Sequence, residues 1–295
     1  MISADARTLS AVQSDSTSTI YTGASPSAPL KPIQTQKDDA YWFTILPDGH
    51  FITESFRHKL FTMNMDGTGR APLPTDTLAG LPTLCGKDGI AYIQLSDVTV
   101  DLWRMDLNGM NRRLIAKNGA SPACSPDGKE VLFFNTLDQA LYRISLPGGS
   151  PVLLSKPGEV LLSQAYSHDG KTIAYASFRK SEGGEGPVAS SIVLMDAATH
   201  QQLRSIPVSS ALPNIGINAL TFAPDDSGLY FFNTPGSASN IWFQPLDGGA
   251  PKQVTQFTSD LISSFGWSPD GKTFAVSRQH QTWDGVLIRD LASPH

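Results

Sequence analysis

Charge is scarce in this chain of 295 residues: Asp, Glu, Lys and Arg together make up 17 %, with a net balance of −5. A nucleic-acid surface draws its affinity from clustered Lys and Arg that displace counterions. No basic stripe occurs, which excludes nucleic acid as a partner. Cysteine is nearly absent, with only Cys85 and Cys124, and two thiolates without well-placed histidines make no metal site. No apolar run approaches the ~20 residues that cross a bilayer, so direct membrane insertion is not expected. Residues Met1 to Ser10 also lack the charged-then-apolar layout of a signal peptide. Catalytic motifs are missing too. The chain has no Gly-x-Ser-x-Gly elbow, no Gly-rich phosphate loop and no His-Arg-Asp or Asp-Phe-Gly triplet. The six histidines, His50, His58, His168, His200, His280 and His295, include no pair at metal-ligand spacing. No catalytic residue, metal or cofactor is expected.

What the sequence does contain is a recurring corner. Ser125-Pro126-Asp127-Gly128-Lys129 and Ser268-Pro269-Asp270-Gly271-Lys272 are identical, and Ser167-His168-Asp169-Gly170-Lys171 differs at one position. Looser copies are Leu46-Pro47-Asp48-Gly49-His50, Ala223-Pro224-Asp225-Asp226-Ser227, Ser3-Ala4-Asp5-Ala6-Arg7 and Gly86-Lys87-Asp88-Gly89-Ile90. The motif is a turn for a physical reason. Pro presets φ, the Asp carboxylate accepts from the backbone N–H two residues on, and Gly takes positive φ without a Cβ clash. Asp226 and Ala6 replace that Gly; Asp tolerates the left-handed region, whereas Ala does not.

The aspartates at 5, 48, 88, 127, 169, 225 and 270 are 43, 40, 39, 42, 56 and 45 residues apart, the length of a four-stranded propeller blade. A β-branched or aromatic run such as Thr172-Ile173-Ala174-Tyr175-Ala176 follows the corner. A third-strand pair such as Leu102-Trp103 or Ile241-Trp242 comes next, then a tight-turn dipeptide such as Asp66-Gly67 or Asn108-Gly109. Such units hide their apolar faces only by stacking around an axis. The expected fold is all-β: a seven-bladed β-propeller of four-stranded antiparallel blades. It forms a single domain, 1–295, with repeats near 1–40, 41–80, 81–119, 120–160, 161–214, 215–260 and 261–295.

The first and last blades read as incomplete. The last stops after a third strand built on Val286-Leu287, and the first begins on its corner, without an innermost strand. Residues preceding this chain in a longer protein are therefore expected to complete the ring. Cys85 and Cys124 precede the corner in adjacent blades. A disulfide needs Cα atoms ~4.4–6.8 Å apart, and first strands of neighbouring blades usually stand farther apart, so two buried thiols are expected.

The Ser-Pro-Asp-Gly-Lys turn after an aromatic, with Trp267, Tyr166 and Phe222 in the aromatic position, resembles the propeller of the TolB family and the related WD-like repeat. That family's propeller has six blades and a separate N-terminal domain, from which this chain departs. The stretch from Phe265-Gly266-Trp267 to Val286-Leu287-Ile288-Arg289-Asp290 is similar to propellers that sit C-terminal to bacterial serine/threonine kinase domains. The resemblance implies a larger bacterial envelope or signalling protein, a protein or peptide partner, a fused or upstream kinase domain and a periplasmic or extracytoplasmic location.

Propellers bind at the channel mouth formed by second-to-third-strand loops and blade-to-blade connections. Those loops hold Arg57 and His58 beside Phe56, then Asp97 and Asp101, Asp138, and His280, Trp283 and Asp284. An insertion from Phe178 to Ser191, with Arg179 and Lys180, reads either as a solvated linker or as a binding loop on the same face. Trp283 offers the largest apolar contact. The candidate binding residues are Arg57, His58, Asp101, Arg179, His280 and Trp283. The expected function is non-catalytic recognition or sensing of a protein or small ligand. Its alternative is a lyase or hydrolase whose acid and base converge in the channel from different blades.

Overall fold

The computed structural model describes residues 8–33, 39–146, 148–158, 160–180, 187–208 and 220–289. Its chain begins with β1 (Thr8–Gly23) and β2 (Lys31–Pro32), followed by β3 (Trp42–Ile45), β4 (Phe51–Glu54), β5 (Leu60–Met63) and β6 (Ala71–Pro72). Next come β7 (Leu78–Cys85), β8 (Gly89–Leu95), β9 (Val100–Asp106) and β10 (Arg113–Ala116), then β11 (Gly119–Cys124), β12 (Glu130–Asn135), β13 (Ala140–Ser145) and β14 (Val152–Leu153). The chain continues through β15 (Val160–Tyr166), β16 (Thr172–Lys180), β17 (Pro187–Asp196) and β18 (Gln202–Pro207). It ends with β19 (Thr221–Phe222), β20 (Gly228–Asn233), β21 (Asn240–Pro245), β22 (Lys252–Gln253), β23 (Leu261–Trp267) and β24 (Phe274–Arg289). No helix occurs among the described residues, and none is long and apolar enough to cross a membrane.

These strands form six four-stranded sheets, not seven. Five sheets use consecutive strands, β3 to β6, β7 to β10, β11 to β14, β15 to β18 and β19 to β22; the sixth has the order β2-β1-β24-β23. The two repeats read as incomplete are two halves of this one blade. Ile20-Tyr21 lies in the third strand of this blade and pairs with the second strand of the last repeat, Ile20 opposite Ser277 and Tyr21 opposite Val276. Val286-Leu287 belongs to that same second strand, β24, rather than to a third. The seventh corner, at Asp5, lies outside the described residues. Counting corners counts this blade twice because the chain enters it between its second and third strands. Edge pairing then joins the halves, since unpaired backbone N–H and C=O groups are costly. Each of the six sheets holds four strands among the described residues, which corrects the expectation of two incomplete blades.

The first strands β3, β7, β11, β15, β19 and β23 line the axis, and the core lies between blades. Ile20 and Ala275 of the closing blade pack with Phe43, Phe51 and Met63 of the first. Ile52 and Leu60 pack with Ile90 and Tyr92, Leu102 with Val131 and Phe133, and Leu132 and Leu141 with Ile173 and Val193. The closing blade also holds the first by polar contacts. Ser18 and Ser277 hydroxyls lie 2.7 Å apart, and both donate to the buried carbonyl of Ala40.

At each Ser-x-Asp-Gly-Lys corner, the Ser Oγ donates to the Asp carboxylate and accepts the backbone N–H five residues on. For Ser125 these bonds reach Asp127 at 2.7 Å and Glu130 at 3.0 Å, and Ser167 and Ser268 repeat them. Donation from Ser and from the Lys backbone holds the Asp127 and Asp270 carboxyls below their usual range. Asp226, in place of Gly, does adopt φ of 55°. Its carboxylate accepts the backbone N–H groups of His168 and Asp169, which ties two blades together.

The corners of the second and third sheets touch backbone to backbone. A Cβ on Gly128 would stand 2.7 Å from Gly86 Cα, and this approach brings the Cα atoms of Cys85 and Cys124 to 5.1 Å, where they form a disulfide. The expectation of two free thiols is corrected: facing glycines let these strand ends stand closer than ordinary inner strands. Gly128→Ala should cost ~2–4 kcal/mol by urea unfolding, combining the φ of 69° with the overlap. Gly170→Ala, with φ of 72° but no contact tighter than 3.7 Å, should cost only ~1 kcal/mol. Equal costs would refute the close-approach account.

Candidate functional site

One mouth of the channel is built by the second-to-third-strand loops and the connections from each fourth strand to the next first strand. In the closing blade the second strand, β24, and the third, β1, come from opposite ends of the described residues. There β24 and β1 run on past the sheet as a two-stranded ribbon. Pairing of β24 with β23 ends at Gln279 opposite Leu261, whereas its pairing with β1 continues from His280 opposite Thr17 to Arg289 opposite Thr8. The β23-side edge of β24 beyond Gln279 has no partner strand among the described residues.

Side chains tie the loops to the connections. Glu54, only 2 % exposed at the end of β4, accepts the Leu81 backbone N–H at 2.8 Å and sits 2.6 Å from His58 Nδ1. Gly80 leaves room for this carboxylate, since a Cβ there would stand 2.5 Å from Glu54 Oε1. Burial pushes the Glu54 carboxyl above its ordinary range, against the pull of the Leu81 N–H and of His58. Asp101 accepts the Asn118 N–H at 2.9 Å, and Asp138 accepts the Tyr142 hydroxyl at 2.5 Å. On the far side, Asp260 pairs with Arg278 at 3.0 Å and with His280 Nδ1 at 2.9 Å. The Arg278 guanidinium lies over the Phe257 ring at 4.2 Å.

Two cavities lie on the axis. The one at this mouth, about 540 Å³, is walled by Tyr41, Trp42, Phe134, Phe232, Leu261 and Ile262, with hydroxyls of Ser121, Thr136, Thr234, Ser239 and Ser263. The other, about 250 Å³, lies between the six inner strands, where Gln164 and Tyr166 stand among Phe43, Phe265 and Trp267. Among the described residues no Asp, Glu, His, Lys or Arg side chain lines either cavity. Burial raises the Tyr41 hydroxyl in the first and the Tyr166 hydroxyl in the second, the nearby carboxylates Glu54 and Glu130 adding to each. Bulges in the inner strands shape the mouth. Leu81 and Ser121 take φ of 50° and 51° where the registers of β7 and β11 shift, which aims the Leu81 N–H at Glu54 and the Ser121 carbonyl at the Gln164 amide.

A groove of about 390 Å³ leaves the mouth along β24, lined by Gly236, Ser259, Asp260, Gln279, His280 and Trp283. It shares Leu261 and Gln279 with the larger cavity. Trp283 is 64 % exposed, and Val12 on β1 is 69 % exposed.

The candidates from the sequence are thus distributed along the rim. His280 and Trp283 share the groove, and His58 stands on Glu54. Asp101 holds a connection rather than facing a cavity. Arg57 is exposed in the β4–β5 turn, and Arg179 sits near the end of β16, its side chain outside the described residues. The insertion lengthens the β16–β17 hairpin, with Phe178 opposite Ala189 and Lys180 opposite Pro187. Sequence reasoning missed Glu54, Asp260, Arg278, Ser121 and Ser263. Only Glu54 left a signal, an acid ending the aromatic and β-branched run Phe51-Ile52-Thr53 four residues before a histidine.

No protein-family model matches the chain, and no curated protein does. Solved structures are similar in fold. A putative TolB from Agrobacterium tumefaciens is 19 % identical, with a TM-score of 0.67 over 90 % of this chain and 99 % of that one. TolB from Acinetobacter baumannii is 16 % identical, with a TM-score of 0.55 over 90 % and 66 %. An oligogalacturonate lyase in complex with manganese is 13 % identical, with a TM-score of 0.58 over 84 % and 79 %. Among the described residues of this chain, no three His, Cys, Asp or Glu side chains gather as metal ligands. Six radial sheets, inner strands ending on the repeated corner and these structural relatives together give the chain the fold of the TolB-like β-propellers.

Proposed function

We propose that this chain is a non-catalytic recognition propeller, the binding part of a bacterial envelope or signalling protein, which meets a protein or peptide partner at the mouth carrying Trp283. One observation carries the reading: both axial cavities lack a charged or histidine side chain among the described residues. A lyase or hydrolase needs an acid and a base within reach of the same bound atoms, whereas here the histidine–carboxylate pairs stand on the rim and tie loops together. The groove beside β24 suits an extended segment, which can add hydrogen bonds to an open strand edge and lay a side chain on an exposed tryptophan. The Cys85–Cys124 bridge supports an oxidising, extracytoplasmic setting. A kinase domain in the same protein rests on the sequence resemblance alone.

Site-specific photocrosslinking tests the reading. A benzophenone residue at position 283 or 58 should capture a discrete partner in envelope extracts, and one at Lys129 or Lys272, on the opposite face, should not. Adducts from the corner face alone would overturn it, as would turnover of a polysaccharide or peptide substrate by the purified chain.

A further inference from the structure

We infer that the larger axial cavity is a binding site for an uncharged, ring-bearing small molecule with a hydrogen-bonding group. The inference rests on the reading of this mouth as a recognition surface. It begins with two hydroxyls. Ser121 is 2 % exposed and Ser263 is 6 % exposed, both line the cavity, and neither Oγ has a hydrogen-bond partner among the described residues. A buried hydroxyl without a partner is costly, and Ser121 is held there on a backbone of positive φ that disfavours any side chain. Two such groups stand in the cavity wall on inner strands of different blades, β11 and β23, where a turn about χ1 would offer either hydroxyl to a ligand.

The walls state the rest of the chemistry. Tyr41, Trp42, Phe134 and Phe232 present aromatic surface, and the described lining holds no counter-ion for a carboxylate or an ammonium. A charged ligand would lose its hydration there without compensation, so the occupant is neutral. At about 540 Å³ the cavity is within the range of small-molecule sites and holds a two-ring compound. Leu261 and Gln279 open it to the groove under Trp283, so an occupant enters from the partner-facing side.

The test uses a neutral dialkylamino-naphthyl ketone as fluorescent probe, with an anionic anilinonaphthalene sulfonate as comparator. The ketone should bind the wild-type protein saturably at one site with a blue-shifted emission, and the sulfonate at least about tenfold more weakly. Ser263→Leu, which fills the cavity, should lower ketone affinity by at least about tenfold. Thr136→Trp, at an exposed rim position that tolerates change, should do the same if the first variant folds poorly. Ser121→Ala should weaken the ketone by about threefold to tenfold through loss of one hydroxyl donor. Non-saturable binding, equal affinity for the sulfonate, or unchanged affinity in both filled variants would overturn the proposal. Crosslinking from position 283 reads the partner separately, so an empty cavity with intact adducts refutes this inference alone.

Discussion

Replacing Cys85 and Cys124 together by serine should lower the unfolding free energy by ~4 kcal/mol, the loop-closure entropy of a bridge of this span. The two residues are 39 positions apart, so the bridge restrains a stretch of unfolded chain as long as a blade. It also fastens the second sheet to the third beside the axis, where Gly86 and Gly128 touch. Urea unfolding should show a lower midpoint for the double variant. The wild type under reducing conditions should match it, because both lose the same restraint. A variant as stable as the oxidised wild type would mean that the interlocked corners, and not the covalent link, hold these blades.

The second large effect is expected at Glu54. Glu54→Ala should cost ~3 kcal/mol, because it strands the part-buried Leu81 N–H and empties a packed site. Glu54→Gln retains an acceptor for Leu81 and should cost far less. The pair also separates charge from shape by pH. Burial raises the Glu54 carboxyl above its ordinary 4.5. The folded protein thus holds this proton more tightly than the unfolded chain does, and the resulting stability is present below the unfolded value and is lost as pH rises through the folded one. Wild type should therefore gain on Glu54→Gln as pH falls from 7 towards the ordinary carboxylate range. A difference between the two that is flat with pH, measured by urea unfolding across that range, would show that Glu54 is not buried as a carboxyl behind Leu81.

The architecture was legible because its corners are local. Pro-Asp-Gly geometry depends on residues within one turn, and six copies, at Asp48, Asp88, Asp127, Asp169, Asp225 and Asp270, each lie between the first and second strands of one sheet. The third-strand pairs Leu102-Trp103 and Ile241-Trp242 also fell where expected, in β9 and β21. The blade count failed for the one sheet whose halves lie at opposite ends of the chain, since pairing Ile20 with Ser277 leaves no trace in a local pattern. The disulfide escaped for a similar reason: its geometry depends on Gly86 meeting Gly128 across two blades.

The rim candidates fared by the same rule. His280 and Trp283 were assigned to a second-to-third-strand loop, whereas both lie in β24 paired with β1 from the other end of the chain, and the groove they share needs Asp260 and Gly236 from other segments. Nothing near Ser121 or Ser263 in sequence distinguishes them from the many serines of the chain. Periodic turns and strand patterns, which rest on neighbours in sequence, by themselves determined that this protein is a propeller of four-stranded blades. How many blades close the ring, which cysteines meet, and which hydroxyls stay without partners on its axis were decided only by tertiary structure, because each depends on contacts between segments far apart along the chain.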